Sequence, residues 1–273
     1  MSYSIFDETM VGMAWPAIEK AAERGAIVFL PVGIIEEHGP HMGLSVDTSI
    51  ARLLCVLTKG ELKSRGIEAL IAPPCYWGVS LGTANFAGTF SVRPETMRSL
   101  LYDILLSLKS WNFRRFFIIN WHADYRHCRA IFEALQEARK IQGVDARCVL
   151  LPSGLRRFRL SGTEDYILVQ KAPPPEPPPG KYVDYHAGSL ETGIMLAYFP
   201  EYVDAALAKK LEPTPLTVYD LQRLGQSDAE TRKLIPGGYF GNPSGYDVGF
   251  ARQFIEASAR DIADTVADYL KST

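Results

Sequence analysis

Short apolar runs alternate with amphipathic segments along much of the chain. Residues 26–32 and 115–120 have the length and composition of buried strands, whereas residues 48–66 and 95–111 repeat their apolar side chains at helical spacing. The same signals predict strands in 67–74 and 146–152, and helices in 128–143 and 249–270. This alternation predicts an α/β fold of three layers, in which helices cover both faces of a mostly parallel sheet.

The chain is long and apolar enough to bury a large core. It has 273 residues, 47% of them hydrophobic, and no linker-like stretch divides it near the middle. We therefore expect one domain over residues 1–273. The proline-rich stretch 172–180 predicts a stiff extended loop, because proline fixes φ and lacks an amide donor. This loop could serve as a linker or, more attractively, as a lid beside a site.

Charge and composition exclude several classes of partner. The net charge is −2, with no basic stripe for nucleic acid and no basic cluster for an anionic membrane. The chain contains neither a signal-peptide pattern at its start nor a run of about 18 apolar residues. Its four cysteines form no CxxC pair and lie in apolar surroundings. We expect a cytoplasmic protein that acts on a small molecule.

All five histidines fall in three short segments that also carry carboxylates. These segments are EEHGPH at 36–41, HADYRH at 122–127 and YHAGSLE at 185–191. Histidine and carboxylate are the usual ligands of zinc, manganese and iron. The clustering therefore predicts a metal site.

The first two of these segments begin where a buried strand stops. Ligands of parallel α/β sheets bind outside the carboxyl ends of the strands, so the two segments could meet at one edge. Glu36 and His38 are two residues apart and leave an extended segment on the same side, as do His122 and Asp124. Asp47 could bridge two ions through its two oxygens. The set resembles a two-metal site, which would supply hydroxide to attack a carbonyl.

Each of these residues also has a purely structural interpretation. Asp47 could cap a helix, and His122 could be a buried histidine bonded to the backbone. His41 could orient its loop as easily as bind metal, and Glu191 could favour a helix N-terminus through the macrodipole. We expect His127 to lie on the exposed face of the following helix. We prefer the metal site because its rejection would require every one of these independent structural interpretations to be correct at once.

The motifs are similar to those of a known family. LPVGIIEEHGPHMGLSVDT (30–48) resembles the signature of the creatininase family of metal-dependent amidohydrolases. The resemblance continues in WGVSLGTANFAGTFSV (77–92), NWHAD (120–124), HAGSLET (186–192) and GGYFGNPS (237–244). It implies a creatininase-like fold and a homo-oligomer, with the hexamer as the family's usual assembly.

The resemblance assigns roles to individual positions. It implies that Glu36 and His122 hold one ion, that His38 and Asp124 hold the other, and that Asp47 bridges them. The implied cofactor is two divalent ions per chain, zinc or manganese, with iron as a further option. The remaining expected site residues are His186 and Glu191 for catalysis, with His186 as proton donor, and Ser80, Trp121 and Tyr185 for substrate binding.

Departures from the family pattern limit what can be said of the substrate. Glu37 replaces a common glutamine, Asp124 replaces the glutamate of creatininase, and Gly82 and Thr83 occupy positions where many relatives have glutamate and histidine. Creatininase closes its pocket with tryptophans from a later loop, whereas every tryptophan here precedes residue 122. Creatinine is therefore not assigned as the substrate.

The sequence favours a metal-dependent hydrolase that uses metal-bound hydroxide to break a C–N bond in a small cyclic or amide-like substrate. Three alternatives stay open. A ring-opening hydrolase of a keto-inositol or sugar-derived ring ketone would use the same hydroxide. A formamide deformylase of phosphorylated substrates would need a phosphate cradle, for which the sequence offers no obvious arginine cluster. A non-catalytic metal-binding protein is the third, although oxygen and nitrogen ligands are more typical of open, catalytic sites.

Overall fold

Five parallel strands form the centre of the molecule. The computed structural model describes residues 4–141, 143–172, 174–175, 182–224 and 228–273, without the side chain of residue 228. The strands are β1 (Ile27–Val32), β2 (Ala69–Ile71), β3 (Arg115–Asn120), β4 (Asp145–Leu150) and β5 (Ile167–Val169), in the order β2-β1-β3-β4-β5. Each neighbouring pair is parallel, which confirms the predicted sheet.

Helices connect the strands and extend beyond them. They are α1 (Trp15–Glu23), α2 (Val46–Lys63), α3 (Pro94–Ser110), α4 (Tyr125–Ala138), α5 (Pro152–Phe158), α6 (Ser189–Tyr198), α7 (Ala205–Ala208), α8 (Asp228–Leu234) and α9 (Val248–Ser272). The four helices predicted from periodicity are present. The predicted helix 128–143 shows the largest boundary differences: α4 begins three residues earlier, because Asp124 caps it, and ends five residues earlier, at Ala138.

The two faces of the sheet carry separate apolar cores. Val28, Leu30 and Val32 of β1 pack on one side with α1, α3 and α4, whereas Ile27 and Phe29 pack on the other with α2, α6 and α9. Successive side chains of a strand point to opposite faces, so the continuous apolar run of β1 is buried twice. This arrangement confirms the predicted three layers.

Strands β1 and β3 end side by side. Val32 pairs with Asn120, and the segments that follow these residues carry EEHGPH and NWHAD. The segment after β2 joins the same edge, where Cys75 bridges to Val32. The topology therefore gathers three motif-bearing loops at the carboxyl ends of the central strands.

Other sequence predictions have mixed outcomes. All four cysteines are buried and unpaired, as expected. Most of the extended loop predicted over 172–180, namely residues 173 and 176–180, lies outside the described part of the chain. Among the described residues, no helix is both long enough and apolar enough to span a membrane. The single domain over residues 1–273 stays a prediction.

Gly33 sets how closely the end of β1 approaches the start of α2. A Cβ at this position would lie 2.8 Å from the backbone carbon of Asp47 and from the nitrogen of Thr48. We expect Gly33→Ala to lower the free energy of unfolding by roughly 1 to 3 kcal/mol, because backbone must move to relieve the overlap. Denaturant unfolding would measure this change.

Gly60→Ala is the matched control for Gly33→Ala. Gly60 is exposed on α2, and a Cβ added there would meet no atom within 4 Å. Alanine should therefore raise stability by about 0.5 to 1 kcal/mol at this helical position. Equal effects of the two substitutions would contradict the close-packing account of Gly33.

Candidate metal centre

A first group of buried ligand atoms joins the loop after β1, the start of α2 and the loop after β3. Nδ1 of His122 lies 3.1 Å from Oε1 of Glu36 and 2.9 Å from Oδ2 of Asp47. All three residues are buried. The alternative that Asp47 caps α2 is wrong, because Ser45 occupies the cap position and Asp47 lies inside the first turn.

A second group lies on the other side of Asp47. Nε2 of His38 is 3.4 Å from Oδ1 of Asp47 and 3.9 Å from Oε2 of Glu191. Each oxygen of Asp47 therefore faces a different histidine, with Glu36 beside one and Glu191 beside the other. Within each group, the potential ligand atoms all lie within 4.8 Å of one another.

Backbone carbonyls orient both histidines toward these groups. Nδ1 of His38 lies 3.2 Å from the carbonyl oxygen of Glu36, and Nε2 of His122 lies 3.0 Å from that of Val79. An N–H donated to these carbonyls leaves the opposite ring nitrogen with its lone pair facing the carboxylates. This is the arrangement by which proteins fix metal-binding histidines.

Two polar atoms in the centre fit a bound cation better than a hydrogen bond. Nε2 of His38 and Oδ2 of Asp47 are buried and have no hydrogen-bond partner among the described residues. His122 approaches Oδ2 to 2.9 Å, but without the alignment of a hydrogen bond. Buried polar atoms are rarely left unsatisfied, so their convergence supports a metal site.

The histidines and carboxylates perturb one another strongly. Burial alone would lower the pKa of His38, but the charges of Asp47, Glu191 and Glu36 outweigh it and raise that pKa to about 10. Burial alone would raise the pKa of Asp47, but His38 and His122 hold it well below its usual value. The buried carboxylates therefore need positive charge close by. Without metal, protonated histidines supply it, and a bound metal ion would replace those protons.

His186 borders both groups and forms a third possible ligand group with Glu36 and His38. Its Nδ1 lies 3.9 Å from Oε1 of Glu36, and its ring centroid lies 4.4 Å from that of His38. Its Nε2 lies 3.0 Å from the carbonyl oxygen of Glu37. Burial and His38 act to lower its pKa, but the carboxylates of Glu37 and Glu36 raise it overall.

Glu191 is held by two donors that aim it at the centre. Nε1 of Trp121 donates to Oε1 at 2.9 Å, and the backbone N–H of Ala187 donates to Oε2 at 2.7 Å. Burial raises the pKa of this carboxyl, although His38 opposes the shift. Trp121, which we expected to bind substrate, thus contacts a candidate ligand and also lines the cavity.

Asp124 lies at the edge of the site. Its Oδ1 accepts hydrogen bonds from the backbone N–H groups of Arg126 and His127, and it thereby caps α4. Its Oδ2 accepts from the backbone N–H of Leu81 at 3.2 Å. Asp124 lines the cavity but belongs to none of the ligand groups found among the described residues, and its role as a ligand stays a prediction.

Thr83 is a site residue that sequence reasoning noted but did not assign. Its hydroxyl donates to Oε2 of Glu36 at 2.5 Å and lies 2.7 Å from Oγ of Ser80. Ser80, an expected substrate contact, is therefore buried and linked to Glu36 through Thr83. The only sequence feature that drew attention to Thr83 was that Gly82 and Thr83 stand where many relatives have glutamate and histidine.

The prediction that His127 is exposed is wrong. His127 is fully buried, its Nδ1 accepts from the backbone N–H of Val79 at 3.2 Å, and its Nε2 lies 3.0 Å from Oδ1 of Asn120. Because α4 begins at Tyr125, His127 lies in its first turn, on the side that faces the sheet. Burial, followed by the neighbouring His122, lowers the pKa of His127 well below its usual value. This residue supports the loop whose carbonyl orients His122.

His41 also has a supporting position. It is buried, and its Nε2 lies 2.9 Å from Oγ1 of Thr192 on α6. Burial, and then the charge of His38, lowers the pKa of His41 to about 4. It links the loop after β1 to the helix that carries Glu191.

A cavity of about 280 Å³ opens onto the ligand groups. Glu36, Asp47 and His122 lie at its buried end, and Tyr185 and His186 form part of its wall. Arg126 and Arg157 also line it, although sequence reasoning found no obvious arginine cluster near the motifs. Arg126 lies within the HADYRH segment, but nothing in the sequence placed Arg157 beside it.

The fold and site together define a class of protein. It is a three-layer α/β protein with buried groups of histidine and carboxylate that could bind metal, beneath a cavity sized for a small molecule. The chain belongs to the creatininase family, whose model, creatinine amidohydrolase, matches residues 12–266. It is therefore a creatininase-family hydrolase.

Individual relatives support this assignment. A creatinine amidohydrolase of Pseudomonas putida is 28% identical over 241 residues, which cover 81% of this chain and 82% of the relative. A mycofactocin precursor peptide peptidase of Mycobacterium ulcerans (strain Agy99) is 29% identical over 223 residues, which cover 80% of this chain and 75% of the relative.

Solved structures confirm the fold. A crystal structure of creatinine amidohydrolase (creatininase) matches with a TM-score of 0.70 and 24% identity over 96% of this chain and 97% of that chain. A creatininase structure described with Mn matches with a TM-score of 0.70 and 23% identity over 96% and 98% of the respective chains.

Proposed function

We propose that this protein is a dinuclear metal-dependent hydrolase that breaks a C–N bond of a small cyclic or amide-like substrate. The observation that carries the proposal is the position of Asp47, whose two oxygens face two different histidines. Glu36, Asp47 and His122 would hold one ion. His38, Asp47 and Glu191 would hold the other, with zinc or manganese as the fitting metals.

When bound, such ions supply Lewis acidity and lower the pKa of a coordinated water. The chain itself contributes orientation and proton handling. The carbonyls of Glu36 and Val79 fix His38 and His122, while Thr83 and Trp121 direct the carboxylates of Glu36 and Glu191. A site built on such supported ligands is prepared before substrate arrives.

His186 would provide the proton for the departing nitrogen. Its imidazole faces the cavity beside Glu36, and the carboxylates of Glu37 and Glu36 favour its protonated form. A positioned imidazole of this kind is the commonest general acid in proteins. Tyr185 lies next to it in the cavity wall, where substrate contact is proposed.

The names of two relatives favour an amide substrate. One relative is named for creatinine and another for a peptide, and both names describe amide chemistry. We therefore favour hydrolysis of an amide over opening of a ring ketone. The test is a panel of cyclic amides, short peptides and polyhydroxylated ring ketones, assayed before and after chelation and again after addition of zinc or manganese. Amide hydrolysis that returns with metal supports the proposal, whereas activity on ketones alone, or activity indifferent to chelation, contradicts it.

The cap position of Asp124 leads to a separate prediction. We expect Asp124→Ala to lower the free energy of unfolding by about 1 kcal/mol, because two backbone N–H groups of α4 lose their acceptor. Elemental analysis of the same variant tests the predicted role as a ligand, since unchanged metal content would leave Asp124 with the capping role alone. Asp247→Ala, which removes the N-cap of α9, is the control and should cost a similar amount. Loss of metal from the Asp124 variant alone would establish Asp124 as a ligand.

Two further family properties stay predictions. The chain is expected to form a homo-oligomer, with a hexamer as the family's implied assembly, and light scattering on the purified protein would measure this. Its expected cytoplasmic location would be checked by cell fractionation.

A further inference from the structure

Two arginines line the exposed end of the cavity. Arg126 lies in the first turn of α4, and Arg157 lies in the last turn of α5. Both side chains are exposed, whereas Glu36 and His122 at the other end are buried. The cavity therefore runs from two guanidinium groups at its mouth to the candidate metal ligands at its base.

Neither guanidinium forms an ion pair with any residue that the structure describes. Asp124 is the acidic neighbour in the same wall, but its two oxygens already accept from backbone N–H groups at 2.7, 3.1 and 3.2 Å. Asp124 therefore forms no direct ion pair with either guanidinium, and the two arginines outnumber this one acid at the cavity mouth. Uncompensated charge in a cleft raises the local concentration of ligands of the opposite sign.

Arg157 is anchored next to the reaction centre. Its Nη2 donates to the carbonyl oxygen of Ala123 at 2.7 Å and to the hydroxyl of Tyr185, and its guanidinium carbon lies 5.0 Å from the centre of the Tyr185 ring. Ala123 directly follows His122 in the chain, and Tyr185 directly precedes His186. Because a guanidinium carries five N–H donors, those on Nε and Nη1 remain for a ligand.

We propose that Arg126 and Arg157 make the enzyme selective for substrates with an anionic group, either a carboxylate or a phosphate, next to the amide that is cleaved. This inference rests on the proposed function and adds the substrate class. Guanidinium groups bind such oxyanions through paired, charge-assisted hydrogen bonds. The two arginines are specificity-determining residues that contact the substrate away from the bond being broken.

A matched pair of lactams tests the preference. 5-Oxoproline and 2-pyrrolidone share the same five-membered ring amide, and only the first has a carboxylate. Calorimetric titration of the purified full chain should show binding of 5-oxoproline about 10 to 100 times tighter than that of 2-pyrrolidone. In the double variant Arg126→Gln with Arg157→Gln, the ratio should fall to about 3 or less.

Arg156→Gln is the charge-matched control, because Arg156 lies on the same helix but does not line the cavity. It should leave the binding ratio unchanged. A preference for 5-oxoproline that survives in the double variant would mean that the carboxylate binds elsewhere, such as at a metal, and would overturn the inference. Equal binding of the two lactams by the unaltered protein would also overturn it.

A competition experiment identifies which anionic group, phosphate or carboxylate, the two arginines bind more tightly. Methyl phosphate and acetate are titrated against bound 5-oxoproline, and the anion whose affinity falls further in the double variant is the preferred group. Hydrolysis assays separate this inference from the proposed function. If charged and neutral amides are hydrolysed with equal efficiency, the function stands and the selectivity fails; if no amide is hydrolysed while arginine-dependent binding persists, the selectivity stands and the function fails.

Discussion

Asp47→Ala should lose both bound ions and lower turnover by roughly 10⁴-fold or more. The effect is large because each ligand group contains one oxygen of Asp47, so a single substitution removes a ligand from both. It also leaves His38 and His122 without the carboxylate that balances their charge. Elemental analysis of the purified variant measures the first effect, and amide hydrolysis measures the second.

The control for Asp47→Ala is a buried aspartate outside the site. Asp261 is 6% exposed and accepts a hydrogen bond from the backbone N–H of Ala172. Asp261→Ala should keep its metal and its turnover even if stability falls. Metal content that is unchanged in the Asp47 variant would contradict the shared-carboxylate arrangement.

His186→Ala should keep its metal while turnover falls by roughly 10² to 10⁴-fold. The imidazole borders the ligand groups, but the proposed ions are each held by three other residues. Its removal therefore takes away a proton donor and leaves the coordinating atoms in place. Metal analysis and steady-state kinetics on the same preparation give the two measurements.

His186→Asn provides a second variant that retains a polar side chain. An amide can hydrogen-bond near Glu37 but cannot transfer a proton at neutral pH, so its turnover should fall about as far as that of the alanine variant. Loss of metal from both variants would instead place His186 in the coordination shell with Glu36 and His38.

The sequence was sufficient to predict the layers of the fold and the place where its motifs meet. The apolar runs of β1 and β3 are buried on both faces, and such runs are readable without coordinates. Because parallel strands end at one edge, Glu36, His38 and His122 could be brought together from chain order alone. Asp47 could be placed at the same edge because α2 begins beside it.

Other features depended on where helices begin and how distant segments pack. The start of α4 decides that His127 faces the sheet and that Asp124 caps the helix, and sequence patterns locate helix ends poorly. Thr83 reaches Glu36 across 47 positions in the chain. Arg157 contacts Tyr185 because of how α5 packs, and no local sequence motif predicts this packing.

The central claim is that Asp47 joins two metal-binding groups in one centre. The most direct measurement is anomalous X-ray diffraction from crystals of the purified protein with its metals retained. The account predicts two anomalous peaks for each chain, one bordered by Glu36, Asp47 and His122 and the other by His38, Asp47 and Glu191. The absence of metal from this place in a fully folded, active protein, or a single ion that does not contact Asp47, would contradict it.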